Sequence, residues 1–311
     1  SDWEKHQHHQ DVNYNRVVLH VTLFPPTEKK KICKTLGGKE IPQLVLLPKL
    51  RQSLEEYLES QALERLSDYE SKKPVSFSSL IDLNLVKQKN YELAKARWLQ
   101  KKKYAQNRLL KGNNEEVFHQ SFLEVLGYRR NRETMARIGQ LYPIDQWKNE
   151  KLDPEKIFQS EKNWKLQGLR PANHPLKRLL QYGNLWKTNP NWIEDAFKIN
   201  LPISTNFQKS NRKNLGLKKL KNDWQKGVLA NGWGGSRVDT LWVDACLPLL
   251  SEINQRDYFA IWFHWFAGDF PRSLKEISKA AEIGGHTPNK PFSNGVLQGV
   301  LGHCIEKRIL G

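Results

Sequence analysis

This sequence has few cysteines, a single methionine, no long apolar run and a shortage of acidic side chains. It carries three cysteines in 311 residues, and none belongs to a Cys-x-x-Cys pair. This spacing argues against a disulfide framework and against a zinc site built from thiolates. The sequence contains no apolar run of about 18 residues, so it offers no transmembrane helix. We therefore expect a cytoplasmic protein.

The shortage of acidic residues leaves a large positive charge. Lysine and arginine total 50, aspartate and glutamate total 33, and the formal net charge is +17. An excess of this size favours an anionic partner, with nucleic acid as the first candidate. The alternative is a generally positive surface that binds no specific polyanion, because net charge informs about association and not about fold.

The hydrophobic pattern changes near residue 50. Apolar, β-branched runs at 16–23 and 41–47 end at prolines and predict strands. From residue 49 onward, apolar side chains recur at spacings of three and four, which predicts helices. The predicted helices lie at 50–63, 90–111, 113–126, 131–142, 175–186, 191–199, 212–229, 238–253, 257–267, 272–283 and 294–310. The fold class is therefore α+β and predominantly α-helical, with a strand-rich segment at 1–50 and a helical domain at 51–311.

Histidines crowd the beginning of the chain. His6, His8 and His9 lie close to Asp11, and His20 follows in the first predicted strand. In an extended backbone His6 and His8 share a face and His9 points away, whereas a turn lets all of them meet Asp11. Three interpretations of these residues stay open: a catalytic or metal-binding set, a contact with phosphate, and a structural loop. His20 is expected to be a core residue bonded to the backbone.

A second motif places arginines around two prolines. Arg170 and Arg178 flank the sequence Arg-Pro-Ala-Asn-His-Pro and are suited to bidentate binding of a phosphate. Asn173 is a candidate cap for the helix that begins at Pro175. The alternative is a rigid start of this helix in which Arg170 pairs with a buried carboxylate.

Basic runs occur at 29–31, 101–103, 129–132 and 209–221. The last run supplies Lys213, Lys218 and Lys219 as candidate phosphate contacts, and such runs bind polyanions in a salt-dependent way. The alternative is a set of solvated helix faces. No zinc finger, phosphate loop or other nucleic-acid motif accompanies the runs.

Two further carboxylates invite a structural prediction. Glu115 and His119 have the i, i+4 spacing of helical metal sites, although one such pair is a weak signal. Asp244 lies in an otherwise apolar helix. If it is buried it needs a lysine or arginine as its partner.

Four dispersed motifs together resemble a bacterial family known as domain of unknown function 2851. They are Trp3-x-x-His6-x-His8-His9-x-Asp11-x-x-Tyr14-Asn15-x-Val17-x-Leu19-His20-Val21, Phe118-His119-Gln120-Ser121-Phe122-x-x-x-Leu126-Gly127-Tyr128-x-x-Asn131, Leu169-Arg170-Pro171-Ala172-Asn173-His174-Pro175-x-x-Arg178 and Asn294-x-x-x-Gln298-Gly299-x-x-x-x-His303-Cys304. Related chains tend to carry further cysteines after the last motif, and this chain does not.

The resemblance implies an additional N-terminal part with acidic residues, like the metal-binding strands of restriction-endonuclease-like nucleases. In such enzymes two carboxylates hold Mg²⁺, which activates water and stabilises charge on the phosphate. The strand-rich segment at 1–50 would then be the later part of that core, without its principal acidic ligands. This implication is an analogy at the level of fold.

The sequence therefore predicts a nucleic-acid-associated protein that forms part of a metal-dependent, nuclease-like enzyme. In that interpretation His6, His8, His9 and Asp11 line the catalytic site, and Mg²⁺ or Zn²⁺ is the expected metal. The phosphate-binding residues are Arg170, Asn173, Arg178, Lys213, Lys218 and Lys219. The alternatives are a non-catalytic helical interaction module with a basic surface and a zinc hydrolase whose metal is held by histidines.

Overall fold

A computed structural model describes residues 2–23, 32–46, 49–50, 57, 81–149, 152–204, 206–284 and 291–307. Contacts divide the chain into two compact units, Ser1–Tyr57 and Leu58–Gly311. The chain is mostly helical, and its few short strands form two small N-terminal sheets. The predicted α+β, predominantly helical class is confirmed. Most of the helix predicted at 50–63 lies outside the described residues.

The first unit combines short helices with two pairs of strands. Its helical turns are α1 (Asp2–Lys5) and the 3-10 helices His8–Gln10 and Val12–Arg16. Its strands are β1 (His20–Thr22), β2 (Cys33–Lys34), β3 (Glu40–Ile41) and β4 (Gln43–Val45). Strand β1 runs parallel to β4, and β2 runs antiparallel to β3. Trp3, Cys33 and Ile41 form its small core. Its membership of a restriction-endonuclease-like core stays a prediction.

The second unit is built from helices. In chain order they are α2 (Leu83–Leu109), α3 (Asn114–Leu126), α4 (Arg132–Leu141), α5 (Ile144–Lys148), α6 (Pro154–Ser160), α7 (Pro175–Thr188), α8 (Trp192–Lys198), α9 (Leu217–Asn222), α10 (Ser236–Thr240), α11 (Leu247–Ile253), α12 (Phe259–His264), α13 (Arg272–Ala280) and α14 (Asn294–Glu306). Helix α3 begins as predicted, because Asn113 Oδ1 accepts the Glu116 N–H at 2.8 Å.

Two of the predicted long helices are interrupted by π-helical turns. The segment predicted at 212–229 contains α9 followed by a π-helix at Asp223–Val228. The segment predicted at 238–253 contains α10, a π-helix at Leu241–Cys246 and then α11. A π-turn widens the helix and shifts the following side chains around its axis, and such turns are frequent at functional sites. The spacing of apolar residues alone did not reveal either turn.

Tryptophans fill much of the core of the second unit. Trp98 packs on Trp262, and Trp242 packs on both Trp224 and Trp265, with ring centroids 4.9–5.4 Å apart. All five of these side chains are fully buried. Large aromatic rings bury the most apolar area per residue, so this cluster accounts for a major part of the hydrophobic stabilisation.

Helices α2 and α14 pack closely along their length. Gly299 makes this approach possible, because a Cβ there would lie 2.3 Å from the backbone oxygen of Asn90. Asn90 also donates its side-chain N–H to the Val296 carbonyl at 3.0 Å. This close contact fixes the side chains of α2 that lie beside Gln298 of α14.

Candidate functional site

A cavity in the second unit collects positively charged side chains from several helices. The space inside it that a water-sized sphere can occupy is about 80 Å³. Five cationic side chains and two carboxylates line it, together with smaller polar and apolar groups. The cations are Arg97, Lys101, Arg129, Arg132 and Arg237, and the carboxylates are Asp244 and Asp269. We call this the arginine cavity.

Helix α2 supplies one wall of the arginine cavity. Arg97, which is 5% exposed, donates from Nε to the amide oxygen of Gln298 at 2.6 Å. Lys101 lies one helical turn later and pairs with Asp244 at 2.8 Å. The predicted cationic partner of Asp244 is therefore confirmed. Asp244 belongs to the π-helix at Leu241–Cys246, so this irregular turn sets its position in the wall.

The turn between α3 and α4 supplies the opposite rim. Tyr128 has a φ of +57°, a left-handed conformation that side chains other than glycine rarely adopt. The Arg129 guanidinium lies 5.6 Å from the centre of the Tyr128 ring. Arg129 also donates to the Asp269 backbone carbonyl at 3.5 Å, and it forms no ion pair with any described residue. A half-buried cation without a carboxylate is therefore present at the rim.

Behind this rim, a buried carboxylate holds Arg132. Glu124, whose side chain is 2% exposed, accepts from Arg132 Nε at 2.8 Å and lies 3.2 Å from Arg108 Nη1. One buried carboxylate therefore binds both guanidinium groups and fixes the position of Arg132 in the wall.

Arg237 is the most buried of the five cations, with 4% of its surface exposed. Its side chain lies over the Tyr128 ring at 4.6 Å, pairs with Asp269 at 3.2 Å and donates to the Val125 carbonyl at 3.3 Å. Burial lowers the pKa of Arg237, and the carboxylate of Asp269 opposes that shift. Its Nε is buried without a partner among the described residues. Burial without full compensation favours an additional anion at this guanidinium.

Two residues of the predicted arginine motif connect to this wall. Asn173 Oδ1 accepts from Arg178 Nη2 at 2.9 Å and from Arg237 Nη2 at 3.5 Å. Burial and the nearby charge of Arg237 lower the pKa of Arg178 to about 10. Asn173 is not the helix cap that the sequence suggested, because His174 occupies that position without a side-chain cap. Arg178 supports the wall from behind and does not itself line the cavity.

The remaining predicted phosphate contacts lie on the surface. Arg170 is exposed and forms no ion pair with any described residue, so the suggested pairing with a buried carboxylate is not seen among them. Lys213, Lys218 and Lys219 are also exposed and likewise form no ion pair within the described residues. Within the same basic run, Lys221 pairs with Asp239 at 2.7 Å. Lys209 is exposed as well, so the run contains four solvent-facing lysines and one, Lys221, that is paired within the fold.

The histidines of the first unit lie in helical turns and not in an extended segment. The His6 and His8 rings stack at 5.7 Å, and His8 packs on Tyr14 at 4.1 Å. His9 contacts the side chain of Gln10 at 3.1 Å. These rings belong to an aromatic cluster around Trp3.

Asp11 does not complete a metal site with these rings. Its Oδ1 accepts the Asn13 N–H at 2.9 Å and so caps the following 3-10 helix. Within the described ranges, no three or more histidine, cysteine, aspartate or glutamate side chains converge as metal ligands. His6, His8, His9 and Asp11 are therefore not assembled as a ligand set, and their catalytic role stays a prediction.

Two other histidines have partners that the sequence did not suggest. His20 is half-buried, and its Nδ1 lies 3.2 Å from the thiol of Cys33, so the expected backbone partner is wrong for this nitrogen. His119 is fully buried between the Tyr182 hydroxyl at 2.5 Å and the Tyr142 carbonyl at 3.0 Å. Both of its ring nitrogens are occupied, which removes the suggested metal pair with Glu115.

The sequence signalled part of the arginine cavity but not its composition. The basic runs at 101–103 and 129–132 contain Lys101, Arg129 and Arg132. Nothing in the sequence joined these to Arg97, which lies in a helical pattern, or to Arg237, which follows a glycine-rich turn. The i, i+4 spacing of Arg97 and Lys101 on one helix is a signal that would have grouped two of the five cations.

Comparisons with known proteins give one match. The family described as Protein of unknown function (DUF2851) matches residues 1–159. This range includes the first unit and the cavity residues contributed by α2, by α3 and by the turn after α3. No curated protein and no solved structure matches the chain. Within the described residues, no helix is both long enough and apolar enough to cross a membrane.

Proposed function

The chain belongs to the family described as Protein of unknown function (DUF2851), and we propose that it binds nucleic acid through its helical unit. The arginine cavity is the phosphate-binding site in this proposal. The main support for this proposal is the excess of positively charged over negatively charged side chains in one concave surface. Arginine suits this role because its planar group donates two parallel hydrogen bonds to phosphate oxygens.

The ion pairs inside the cavity support this interpretation. Asp244 is engaged by Lys101, and Asp269 is engaged by Arg237. Arg129 has no carboxylate partner among the described residues, and the buried Nε of Arg237 has no hydrogen-bond partner among them. Purely structural arginines are usually matched by carboxylates, since an uncompensated charge of one sign opposes folding. A bound phosphate supplies the missing negative charge.

The exposed lysines extend the proposal to the protein surface. Lys213, Lys218 and Lys219 are free of carboxylates within the described residues, and the whole chain carries a net charge of +17. Contacts of this kind track a phosphate backbone without reading sequence, and they release counterions when they form. We therefore expect affinity for many sequences and a steep dependence on salt.

The experiment is a binding titration of the purified protein with a labelled single-stranded oligonucleotide at several salt concentrations. We expect binding at about 50 mM salt and a loss of affinity of 10-fold or more at about 200 mM. The variant Lys218→Ala/Lys219→Ala should weaken binding and lower the salt slope by about 1.4, since each contact with a phosphate of a single strand contributes about 0.7. Lys156→Ala, at an exposed position on α6, is the control that removes a charge without touching either surface.

The outcomes separate the proposal from its alternatives. Unchanged binding by the double lysine variant would remove the surface contacts from the proposal. A protein that binds no oligonucleotide at about 50 mM salt would contradict the proposal and favour a helical interaction module.

Cleavage of nucleic acid stays a separate prediction that rests on the family resemblance. Incubating the protein and its His8→Ala variant with a labelled oligonucleotide and Mg²⁺ or Mn²⁺ tests it directly. Products formed only by the unmodified protein would support a nuclease-like role of the histidines. Stoichiometric zinc in the purified protein would instead support the zinc hydrolase alternative.

A further inference from the structure

We infer that the arginine cavity takes a terminal phosphate, a phosphomonoester, in preference to the bridging phosphodiesters of a strand. This inference rests on the proposed function and specifies its ligand class. The ligand group is a dianionic phosphate, which occurs both at the end of a nucleic-acid strand and in a mononucleotide.

The size of the cavity restricts what can enter it. The space inside it that a water-sized sphere can occupy is about 80 Å³, far below the roughly 300–1,000 Å³ of sites that hold one small molecule. The cavity therefore accommodates a single phosphate group and not a whole nucleotide or a continuous backbone. A strand reaches the buried guanidinium groups only with a terminal phosphate.

The charges at the bottom of the cavity favour a dianion. A phosphomonoester carries about −1.5 to −2 charges at pH 7, whereas each bridging phosphodiester carries one. Arg97 and Arg237 are 5% and 4% exposed, so their interactions with an anion are weakly screened by water. The unpartnered Nε of Arg237 is an additional buried donor at this wall. A second negative charge on the ligand therefore increases the affinity more at these buried arginines than at an exposed lysine.

The Tyr128 ring holds two of the arginines in position. Arg237 lies 4.6 Å and Arg129 lies 5.6 Å from the ring centre, and such cation–π contacts orient guanidinium planes. Tyr128 reaches this place through a backbone conformation with φ of +57°, which is strained for a residue with a side chain. Strain of this kind at a cavity wall is consistent with a binding role. Arg129 and Arg237 both line the cavity, so in this proposal both guanidinium groups contact the phosphate.

The experiment compares oligonucleotides of one sequence that differ only at their ends. The three forms carry a 5′-phosphate, a 3′-phosphate or hydroxyls at both ends, and a nucleoside monophosphate and the matching nucleoside serve as competitors. We expect a phosphorylated end to improve affinity by about 10-fold, the effect of one strong charge-assisted contact. We expect the nucleoside monophosphate to displace the phosphorylated oligonucleotide and the nucleoside not to displace it.

Variants test whether the gain in affinity from a phosphorylated end arises in the cavity. Arg129→Ala should abolish the advantage of the phosphorylated end, and Arg129→Lys should retain part of it because the charge remains without the bidentate geometry. Lys156→Ala, on the exposed surface of α6, should leave the advantage unchanged. Thermal unfolding of each variant confirms that it is folded before affinities are compared.

The outcomes distinguish this inference from the proposed function. Equal affinity for phosphorylated and hydroxyl ends, with salt-dependent binding of both, would overturn the inference and leave nucleic-acid binding intact. Binding of the monophosphate without binding of any oligonucleotide would support the phosphomonoester and overturn the nucleic-acid proposal. Absence of binding by every probe would overturn both.

Discussion

Arg178 and Arg237 share one acceptor, the side-chain oxygen of Asn173, although both guanidinium groups are positively charged. The hydrogen bonds measure 2.9 Å from Arg178 and 3.5 Å from Arg237. Repulsion from Arg237 adds to burial in lowering the pKa of Arg178 to about 10. Two like charges therefore converge on a neutral amide. A negative charge at this point would relieve the repulsion.

The substitution Asn173→Asp tests this relationship. We expect it to raise the free energy of unfolding by about 1–2 kcal/mol at pH 7, because a charged acceptor strengthens both hydrogen bonds. It should also weaken binding of a phosphorylated oligonucleotide several-fold, since it adds a negative charge beside the cavity. Urea unfolding and a binding titration measure the two effects.

Asn184→Asp, at an exposed position of α7, is the control for adding the same charge elsewhere. An Asn173→Asp protein that is less stable than Asn173→Ala would show that the two arginines do not need a negative partner there.

The Lys101–Asp244 pair offers a second prediction, in which stability and binding change in opposite directions. Both side chains are largely buried, at 15% and 21% exposed. Asp244→Asn should lower the free energy of unfolding by about 1–3 kcal/mol, because it leaves Lys101 without its charge partner. The same change releases Lys101 toward the cavity and should strengthen binding of a phosphorylated ligand several-fold.

Asp257→Asn is the matched control. Asp257 pairs with Lys95 of the same helix at 2.8 Å but does not line the cavity. This variant should lose stability without gaining affinity. A gain in affinity in both variants would point to net charge alone, and no gain in either would remove Lys101 from the binding site.

The third prediction concerns the buried carboxylate of Asp239. Burial raises its pKa to about 6, despite the ion pair with Lys221. Between pH 4 and 6 the folded protein binds a proton at Asp239 that the unfolded chain has lost, so this residue makes the folded state less stable as the pH rises. In Asp239→Asn this contribution is absent. Between pH 4 and 6, the free energy of unfolding of the Asp239→Asn protein should therefore increase relative to that of the unmodified protein as the pH rises. Urea unfolding at several pH values measures this difference. A difference that stays constant with pH would contradict the raised pKa.

His264 should contribute a slope of opposite sign. Burial, with help from Arg212, lowers the pKa of this histidine to about 4. Between pH 6.5 and 4 the unfolded chain takes up a proton that the folded protein does not, so stability falls as the pH decreases. His264→Phe keeps an aromatic ring against Phe207, on which His264 stacks at 5.2 Å, and removes the titration.

We expect stability of the His264→Phe protein to decrease less than that of the unmodified protein on acidification, by up to about 2 kcal/mol at pH 4. Between pH 4 and 6 the contributions of His264 and Asp239 to the free energy of unfolding change with pH in opposite directions. Each contribution is therefore measured by comparing a single variant with the unmodified protein, because the other residue is the same in both. Parallel pH profiles for the variant and the unmodified protein would show that His264 titrates normally.

Local signals predicted the fold well where they depend on neighbouring residues. The helix predicted at 113–126 agrees with α3 (Asn114–Leu126), because the cap that starts it, Asn113, acts within one turn. The need of Asp244 for a cation followed from its apolar surroundings in sequence. The identity of that cation as Lys101 did not follow, because 143 residues separate the two.

The histidine motif shows the opposite case. The spacing of His6, His8 and His9 was interpreted both for an extended backbone and for a turn that brings them to Asp11, and the chain forms helical turns there. In that conformation His6 and His8 stack, and Asp11 caps a helix instead of joining them. A change of local backbone conformation redistributes every side chain that follows it, so spacing alone did not determine which groups meet.

The sequence by itself determined the positive charge, the helical character of most of the chain and the absence of a thiolate framework, because these depend on composition and on short-range periodicity. Only the tertiary structure decided that Arg97, Arg129 and Arg237 line one cavity while Lys213 faces solvent. The physical reason is that a cavity is formed by segments distant along the chain, whose meeting depends on how the core packs. Gly299, by letting α2 and α14 approach, and the π-turn that carries Asp244 are two of the local features through which that packing acts.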